Sequence, residues 1–302
     1  MNIKGLFTDQ PISWQLFILL IVITLGGILG SVIGLGLFQI VYGSISDMNQ
    51  HPDMMRLFQF ISACGTFLLP ALATAWLCSD KPKDFLSVKG MPDLKIILLV
   101  FFGIILINPL INLTSLLNES MKFPQWAAPI ESWMRQQENS ALFFTDLLIN
   151  GEGISPLLSN LIVIALTAAI SEEFLFRGTI QSLLGRGKKN LHLTIWLTAV
   201  IFSAFHLQFY GFIPRMLLGA YLGYLLVWTR NIWVPIAGHF FNNAISVIVM
   251  STEGLKDNEF INGKISDEYL LPYIGAAILA TIGFLYLTLQ VKKKSKELDS
   301  RL

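Results

Sequence analysis

Charged side chains are scarce in this sequence. Asp, Glu, Lys and Arg make up 14% of its 302 residues, whereas hydrophobic residues make up 54%, and the mean hydropathy is +0.62. Soluble domains usually carry about a quarter charged residues, so this composition excludes an ordinary soluble domain. The formal net charge of +1 shows no basic excess, and no nucleic-acid partner is expected. The composition predicts an integral membrane protein.

Cysteine is also scarce, since only Cys64 and Cys78 are present and both lie in one apolar segment. This excludes a disulfide framework and a thiolate metal site, and both residues are interpreted as small buried side chains. A signal-peptide cleavage site is missing after the apolar run that follows Trp14, so we expect a retained helix there. Internal repeats and linkers are missing as well, which predicts a single integral membrane domain over residues 1–302.

Long apolar runs are abundant. About 20 residues in a helix cross the roughly 30 Å hydrocarbon core of a bilayer, and only helices or closed barrels satisfy their backbone groups there. We therefore predict an all-α, polytopic membrane protein with about eight transmembrane helices, whose functional site lies on spans four, five and seven. The predicted spans cover approximately residues 14–42, 56–78, 94–117, 155–183, 191–209, 211–229, 232–251 and 270–291.

The distribution of Lys and Arg predicts the orientation. Cytoplasmic loops are enriched in these residues, and fourteen of the 21 fall on one side if both termini are cytoplasmic. The compact chain suits a bacterial inner (plasma) membrane. The loop at about 118–154 contains Trp126, Ile130, Trp133 and Met134 at helical spacing, which predicts an amphipathic helix lying in the outer interface.

Three ionisable residues interrupt the fourth span. A charge at the centre of a spanning helix costs about 2.5–3.5 kcal/mol, so such residues are functional-site candidates. Glu173 and Arg177 are four positions apart, which predicts an ion pair along the helix. Glu172 should point about 100° away from Glu173, so the two carboxylates are not expected to enter the same pocket. Glu172 is left as the free carboxylate.

Two further polar groups interrupt the fifth and seventh spans. His206 follows Phe202 by four positions, and Asn243 follows His239 by four positions, so His239 and Asn243 share one helix face. A carboxylate beside a neutral imidazole can take a proton from water. An imidazole and an amide that face one point could stabilise an oxyanion. This combination predicts hydrolysis of an amide without a covalent intermediate.

Other functions remain open from the residues alone. Glu172, His206 and His239 could ligate a divalent metal such as Zn²⁺, although the sequence has no His-Glu-x-x-His motif that would require one. Glu and His chains also serve as proton relays in proton-coupled transporters, which would predict an internal repeat that is not found. A third alternative is a membrane adaptor that retains the polar pocket without catalysis.

The depths of these residues present a difficulty. At a rise of 1.5 Å per residue, Glu172 and His206 lie about 20–24 Å from the cytoplasmic edge. The same rise places His239 only about 10 Å from an edge at Arg230. Straight helices would not bring the three residues together, so helix tilt, a shifted boundary of the seventh span or a water-filled cavity is required.

The polar groups also carry a family resemblance. Their order resembles that of the three motifs of the CPBP intramembrane endopeptidases, which include the type II CAAX prenyl proteases and bacteriocin-processing or self-immunity proteins. The resemblance covers about residues 155–250. The motifs read Glu172-Glu173-x-x-x-Arg177, Phe202-x-x-x-His206 and His239-x-x-x-Asn243.

This resemblance implies catalytic roles. It implies that Glu172 and His206 activate the attacking water, and that His239 and Asn243 form the oxyanion site. The implied function is hydrolysis of a peptide bond in a membrane-associated peptide or protein, prenylated or not, within the lipid bilayer.

The resemblance further implies that Glu173 and Arg177 support the site and that Phe202 packs against it. Members of the family are often named metalloproteases, yet the type II CAAX enzymes are also described as glutamate-dependent proteases without an obligatory metal. We favour the second description, in which no cofactor is required.

Overall fold

The protein is a bundle of helices. The computed structural model describes residues 3–151, 153–186, 190–263 and 265–300, and every regular element within those ranges is helical. The predicted fold class, an all-α polytopic membrane protein, is confirmed. The main helices are α1 (Ile12–Tyr42), α2 (Pro52–Leu77), α3 (Leu94–Glu119), α4 (Ala128–Ile149), α5 (Ile154–Gly185), α6 (Leu191–Ala204), α7 (Phe209–Thr229), α8 (Trp233–Ser251) and α9 (Asp267–Asp299). Short helical turns lie at Ile45–Gln50, Pro82–Phe85, Gln125–Ala127, Glu253–Lys256 and Glu259–Asn262.

Within the described ranges, seven helices are long and apolar enough to cross a membrane. The fifth predicted span differs, because α6 has only 14 residues and is therefore about 21 Å long. The predicted end of this span at residue 209 was wrong, because α6 ends at Ala204. Apolar residues continue through Phe205 and Leu207, but the backbone turns there and Leu207 takes a positive φ of 54°. His206 consequently lies in the turn that follows α6.

Contacts between helix ends define the two ends of the bundle. At one end, Arg186 Nη1 donates to Gln15 Oε1 over 2.7 Å, and Arg230 Nη1 lies 3.8 Å from Asp299 Oδ2. At the other end, buried Arg56 in α2 donates to two carbonyl groups at the end of α4. The start of α1 and the ends of α5, α7 and α9 therefore lie at the first end, together with Arg186 and Arg230, two of the basic residues that were predicted to be cytoplasmic.

Helix α5 is irregular on both sides of the two adjacent glutamates. Its turns are π-helical over Leu161–Thr167 and Phe174–Gln181, with an α-helical segment Ala168–Glu173 between them. Hydroxyl groups bond carbonyls five residues earlier, as Thr179 Oγ1 does to Phe174 O over 3.0 Å. Wide turns of this type occur frequently at functional sites. Here they set the directions in which the carboxylates leave the helix.

The first residues of α8 lie inside the protein. The loop between α2 and α3 covers them, since Ile232 N–H donates to Ser87 O and Asn231 Nδ2 donates to Gly90 O, each over 2.9 Å. The side chain of Ile232 is fully buried. The helix that carries His239 therefore starts below the surface of the bundle.

Candidate active site

Three predicted site residues converge between α5, the turn after α6, and α8. Glu172 Oε2 lies 3.9 Å from Nε2 of His206 and 3.9 Å from Nε2 of His239. These side chains are mostly buried, with exposed fractions of 14%, 28% and 5% for Glu172, His206 and His239. A separation of 3.9 Å is too long for a direct hydrogen bond, and Glu172 Oε2 has no hydrogen-bond partner among the described residues. The three atoms thus surround one small polar region.

This convergence resolves the depth difficulty. The sequence interpretation took Arg230 as the edge of the seventh span, which placed His239 too close to the surface. In the structure the loop after α2 covers Asn231 and Ile232, which directly follow the exposed Arg230. The first turn of α8 lies inside the bundle, and His239 reaches the same depth as Glu172.

The hydrogen bond of His206 determines its tautomer. Nδ1 lies 2.9 Å from the Phe202 carbonyl oxygen. A carbonyl oxygen only accepts, so Nδ1 carries the proton. In the neutral ring, Nε2 therefore directs a lone pair toward Glu172.

His239 is held in a similar way, but by a carboxylate. Its Nδ1 donates to Glu173 Oε1 over 2.8 Å, and the same oxygen accepts from Arg177 Nη1 over 2.8 Å. The predicted Glu173–Arg177 ion pair is thus present, with both side chains fully buried. Glu172 and Glu173 diverge along α5 and face opposite sides of the same imidazole. The His239 ring lies between them, and its two nitrogens face different carboxylates.

Arg177 has further contacts that hold it in place. Its Nη2 donates to Gly219 O on α7 over 3.0 Å, and its guanidinium lies 4.3 Å above the Phe202 ring. Phe202 is buried and also makes edge contacts with the rings of His206 and His239 at centroid distances of 5.0 and 5.8 Å. The sequence interpretation missed Gly219, whose only signal was a small residue within an apolar run.

Asn243 lies one helical turn beyond His239, but its amide bonds elsewhere. Nδ2 donates to Ile164 O over 3.2 Å, and Oδ1 accepts from Asn242 Nδ2 over 3.1 Å. Ile164 belongs to the first π-helical segment of α5. Of the four predicted catalytic residues, Glu172, His206 and His239 therefore lie close together. The amide of the fourth, Asn243, is hydrogen-bonded to the backbone of α5.

Helix α4 reaches the site through the segment that follows His206. Trp133 contacts the Phe209 ring at 5.3 Å. Gln208 Nε2 donates to Glu138 Oε1 over 3.3 Å, and Gln208 Oε1 accepts from Arg215 Nη2 over 2.8 Å. Arg215 is thereby held beside the turn that carries His206. The sequence interpretation missed Arg215 as a residue near the site, although a cation in an apolar helix was itself a signal.

Glu172, His206 and His239, the predicted ligands in the metal alternative, are the three residues that lie close together. Within the described ranges, however, no three or more His, Cys, Asp or Glu side chains are arranged to hold a metal ion. The Nε2 lone pairs of His206 and His239, together with Glu172 Oε2, are the atoms that the metal alternative would use.

Comparisons with known proteins identify the same part of the chain. The family described as "Type II CAAX prenyl endopeptidase Rce1-like" matches residues 154–245, which include the three motifs. The uncharacterized protein YpbD of Bacillus subtilis (strain 168) is 31% identical over 90 residues, which cover 28% of this chain and 43% of that protein. No solved structure matches the chain. The predicted resemblance is therefore confirmed over residues 154–245, which are similar to the type II CAAX prenyl endopeptidase Rce1-like family, while the chain spans less than half of the length of the Bacillus relative.

Proposed function

We propose that this protein is an intramembrane endopeptidase that hydrolyses a peptide bond in a membrane-associated peptide or protein. The observation that carries the proposal is the convergence of Glu172 Oε2 with Nε2 of His206 and Nε2 of His239, each 3.9 Å away. These residues lie within the segment that matches an endopeptidase family.

Glu172 and His206 are assigned to the activation of water. A water molecule hydrogen-bonded to both Glu172 Oε2 and His206 Nε2 has two acceptors, because His206 Nδ1 already donates to Phe202 O. Glu172 takes one proton from this water as the oxygen attacks the peptide carbonyl carbon. The protonated Glu172 then donates that proton to the leaving amine nitrogen, which restores the carboxylate.

His239 and Asn243 are assigned to the oxyanion. Because His239 Nδ1 donates to Glu173, its Nε2 can donate to an oxyanion only when the ring is doubly protonated, and the Glu173 carboxylate stabilises that cation. Asn243 Nδ2 carries two hydrogens. One bonds Ile164 O, and the second is available for the substrate oxygen.

The decisive experiment replaces Glu172 by Gln in the full chain reconstituted in liposomes. Cleavage of a membrane-tethered peptide should fall by at least about 10²-fold, as is typical for loss of a general base, while the thermal unfolding midpoint stays close to that of the parent. Glu131→Gln, which changes the ion pair with Arg135 on α4, is the matched control and should retain activity. Full activity of Glu172→Gln would reject this assignment.

Prenylated and unprenylated peptides tested side by side define the substrate class.

The proposal needs no cofactor, and chelator treatment tests that directly. If a divalent ion were required, Glu172, His206 and His239 would hold it and it would supply a polarised water. We expect the protein to keep its activity after dialysis against a chelator and to contain no stoichiometric metal by elemental analysis. A stoichiometric metal whose removal abolishes cleavage, and whose return restores it, would replace the metal-free mechanism.

A further inference from the structure

A basic cavity lies next to the start of α8. It forms where α2 and α7 end and where α3 and α8 begin, and it has a volume of about 330 Å³. That volume is at the lower end of the range for ligand cavities, about 300–1,000 Å³. The lining residues are Lys83, Asp84, Ser87, Val88, Lys89 and Arg230.

The charges in this cavity are unbalanced. Three cations face one carboxylate, Asp84. Arg230 has an exposed partner, Asp299, at 3.8 Å. Lys83 and Lys89 form no ion pair with any residue that the structure describes. Like charges held close together repel one another, and a bound anion relieves that repulsion.

The cavity wall has an unusual backbone. Three non-glycine residues in the described ranges have a positive φ, and two of them, Ser87 at 56° and Arg230 at 50°, line this cavity. Such conformations persist where the surrounding structure holds them. Here Ser87 O accepts from Ile232 N–H over 2.9 Å. The third residue, Leu207, directly follows His206.

We propose that this cavity binds the phosphate group of an anionic lipid headgroup. Basic pockets at the ends of transmembrane helices suit such headgroups. The cavity lies at the bundle end where further cations gather, since Lys294 lies 3.8 Å from Asp93 at the start of α3. Its volume accommodates a headgroup phosphate, while the acyl chains remain along the apolar helix faces. The inference requires only the membrane fold, not the proposed peptidase activity.

Ligand binding here would act on the helix that carries His239. Trp233, the first residue of α8, donates from Nε1 to Lys89 O over 3.1 Å. A phosphate held jointly by Lys89 and Arg230 therefore bridges the loop after α2 to the loop before α8. His239 lies six residues after Trp233, so the bound lipid would stiffen the support of this histidine.

The test measures lipid retention on the full chain by native mass spectrometry in detergent, with phosphatidylglycerol and phosphatidylcholine as probes. Lys83→Gln/Lys89→Gln should reduce phosphatidylglycerol retention by about 25-fold, since each cation that faces the bound headgroup contributes about fivefold. The control, Lys292→Gln/Lys293→Gln, removes the same charge from the exposed tail at the same bundle end and should leave the cavity affinity unchanged. Thermal unfolding midpoints show that both variants are folded.

The competing outcomes are distinct. Equal retention by the two variants, or equal retention of both lipids by the parent protein, would overturn the proposal. Inorganic phosphate is titrated as a separate arm, and binding as tight as that of phosphatidylglycerol would assign the site to a free anion instead. Because lipid retention involves no proteolysis, failure of the peptidase proposal does not affect this result.

Discussion

Two glutamate–arginine pairs in this protein share the same spacing but have different surroundings. Glu173 and Arg177 lie 2.8 Å apart with both side chains fully buried. Glu131 and Arg135 lie 2.7 Å apart on α4, with the arginine 54% exposed. The sequence pattern predicts both pairs equally well. Only the buried pair also holds a histidine, so burial and the third partner distinguish a site residue from a surface pair.

The first prediction uses this contrast. Glu173→Gln leaves the buried guanidinium of Arg177 without its counter-charge, and we expect a loss of about 3–5 kcal/mol in the free energy of unfolding. Glu131→Gln should cost little, because exposed pairs contribute weakly. Reversible denaturation in mixed micelles measures both changes. Equal losses in the two variants would show that burial of the Glu173 pair is not what stabilises the site.

Asn243 provides a second prediction at the residue scale. Asn243→Ala removes the proposed oxyanion donor, and kcat should fall by about 10²–10³-fold with a smaller change in KM. Ser246→Ala, which removes an exposed hydroxyl from the same helix, should keep its activity. If Asn243→Ala unfolds more easily but retains its kcat, the role of Asn243 is structural, through its hydrogen bond to Ile164 O, and not catalytic.

At the scale of helices, α5 and α7 are joined by two parallel hydrogen bonds. Arg177 Nη2 donates to Gly219 O, and one turn later Gln181 Nε2 donates to Gly223 O over 3.2 Å. Both acceptors are glycines, which lets the α7 backbone approach the polar side chains of α5 closely. A methyl group at Gly223 would come within 2.8 Å of Gln181 Oε1.

The corresponding prediction concerns Gly223→Ala. The added methyl group overpacks this contact, so we expect a loss of about 1–3 kcal/mol in the free energy of unfolding together with reduced cleavage. Gly275→Ala in α9 is the matched control, because a methyl group there meets no atom within 4 Å. Similar unfolding curves for both variants would contradict the close packing of α5 against α7.

Several features of these helices were predictable from the sequence, and others were not. Apolar runs predicted the helices, since a bilayer admits few other structures. Motif spacing predicted the Glu173–Arg177 pair. The two π-helical segments of α5 and the early end of α6 depend on tertiary contacts that hydropathy does not record. The same holds for the depth of His239, because a loop more than 140 residues earlier covers the start of α8.

For the whole molecule, orientation in the membrane remains a prediction that depends on the distribution of Lys and Arg. In a background with Cys64→Ala and Cys78→Ala, Ser300→Cys should react with a membrane-impermeant maleimide only after the membrane is opened. Asn139→Cys, on an exposed position of α4, should react in intact cells. The opposite labelling pattern would show that the topology is inverted. Labelling of both positions in intact cells would reject a fold that places them on opposite sides of the membrane.

The position of one imidazole between two carboxylates also governs how charge is redistributed during the proposed reaction. With the doubly protonated ring that the oxyanion role requires, His239 and Arg177 balance the two carboxylates, and Glu172 carries the negative charge that takes part in the reaction. When Glu172 takes a proton from water, that charge moves to the attacking oxygen and then to the substrate oxyanion. The reaction relocates a charge that the folded protein already holds in a low-dielectric region, so its first step creates no new net charge there.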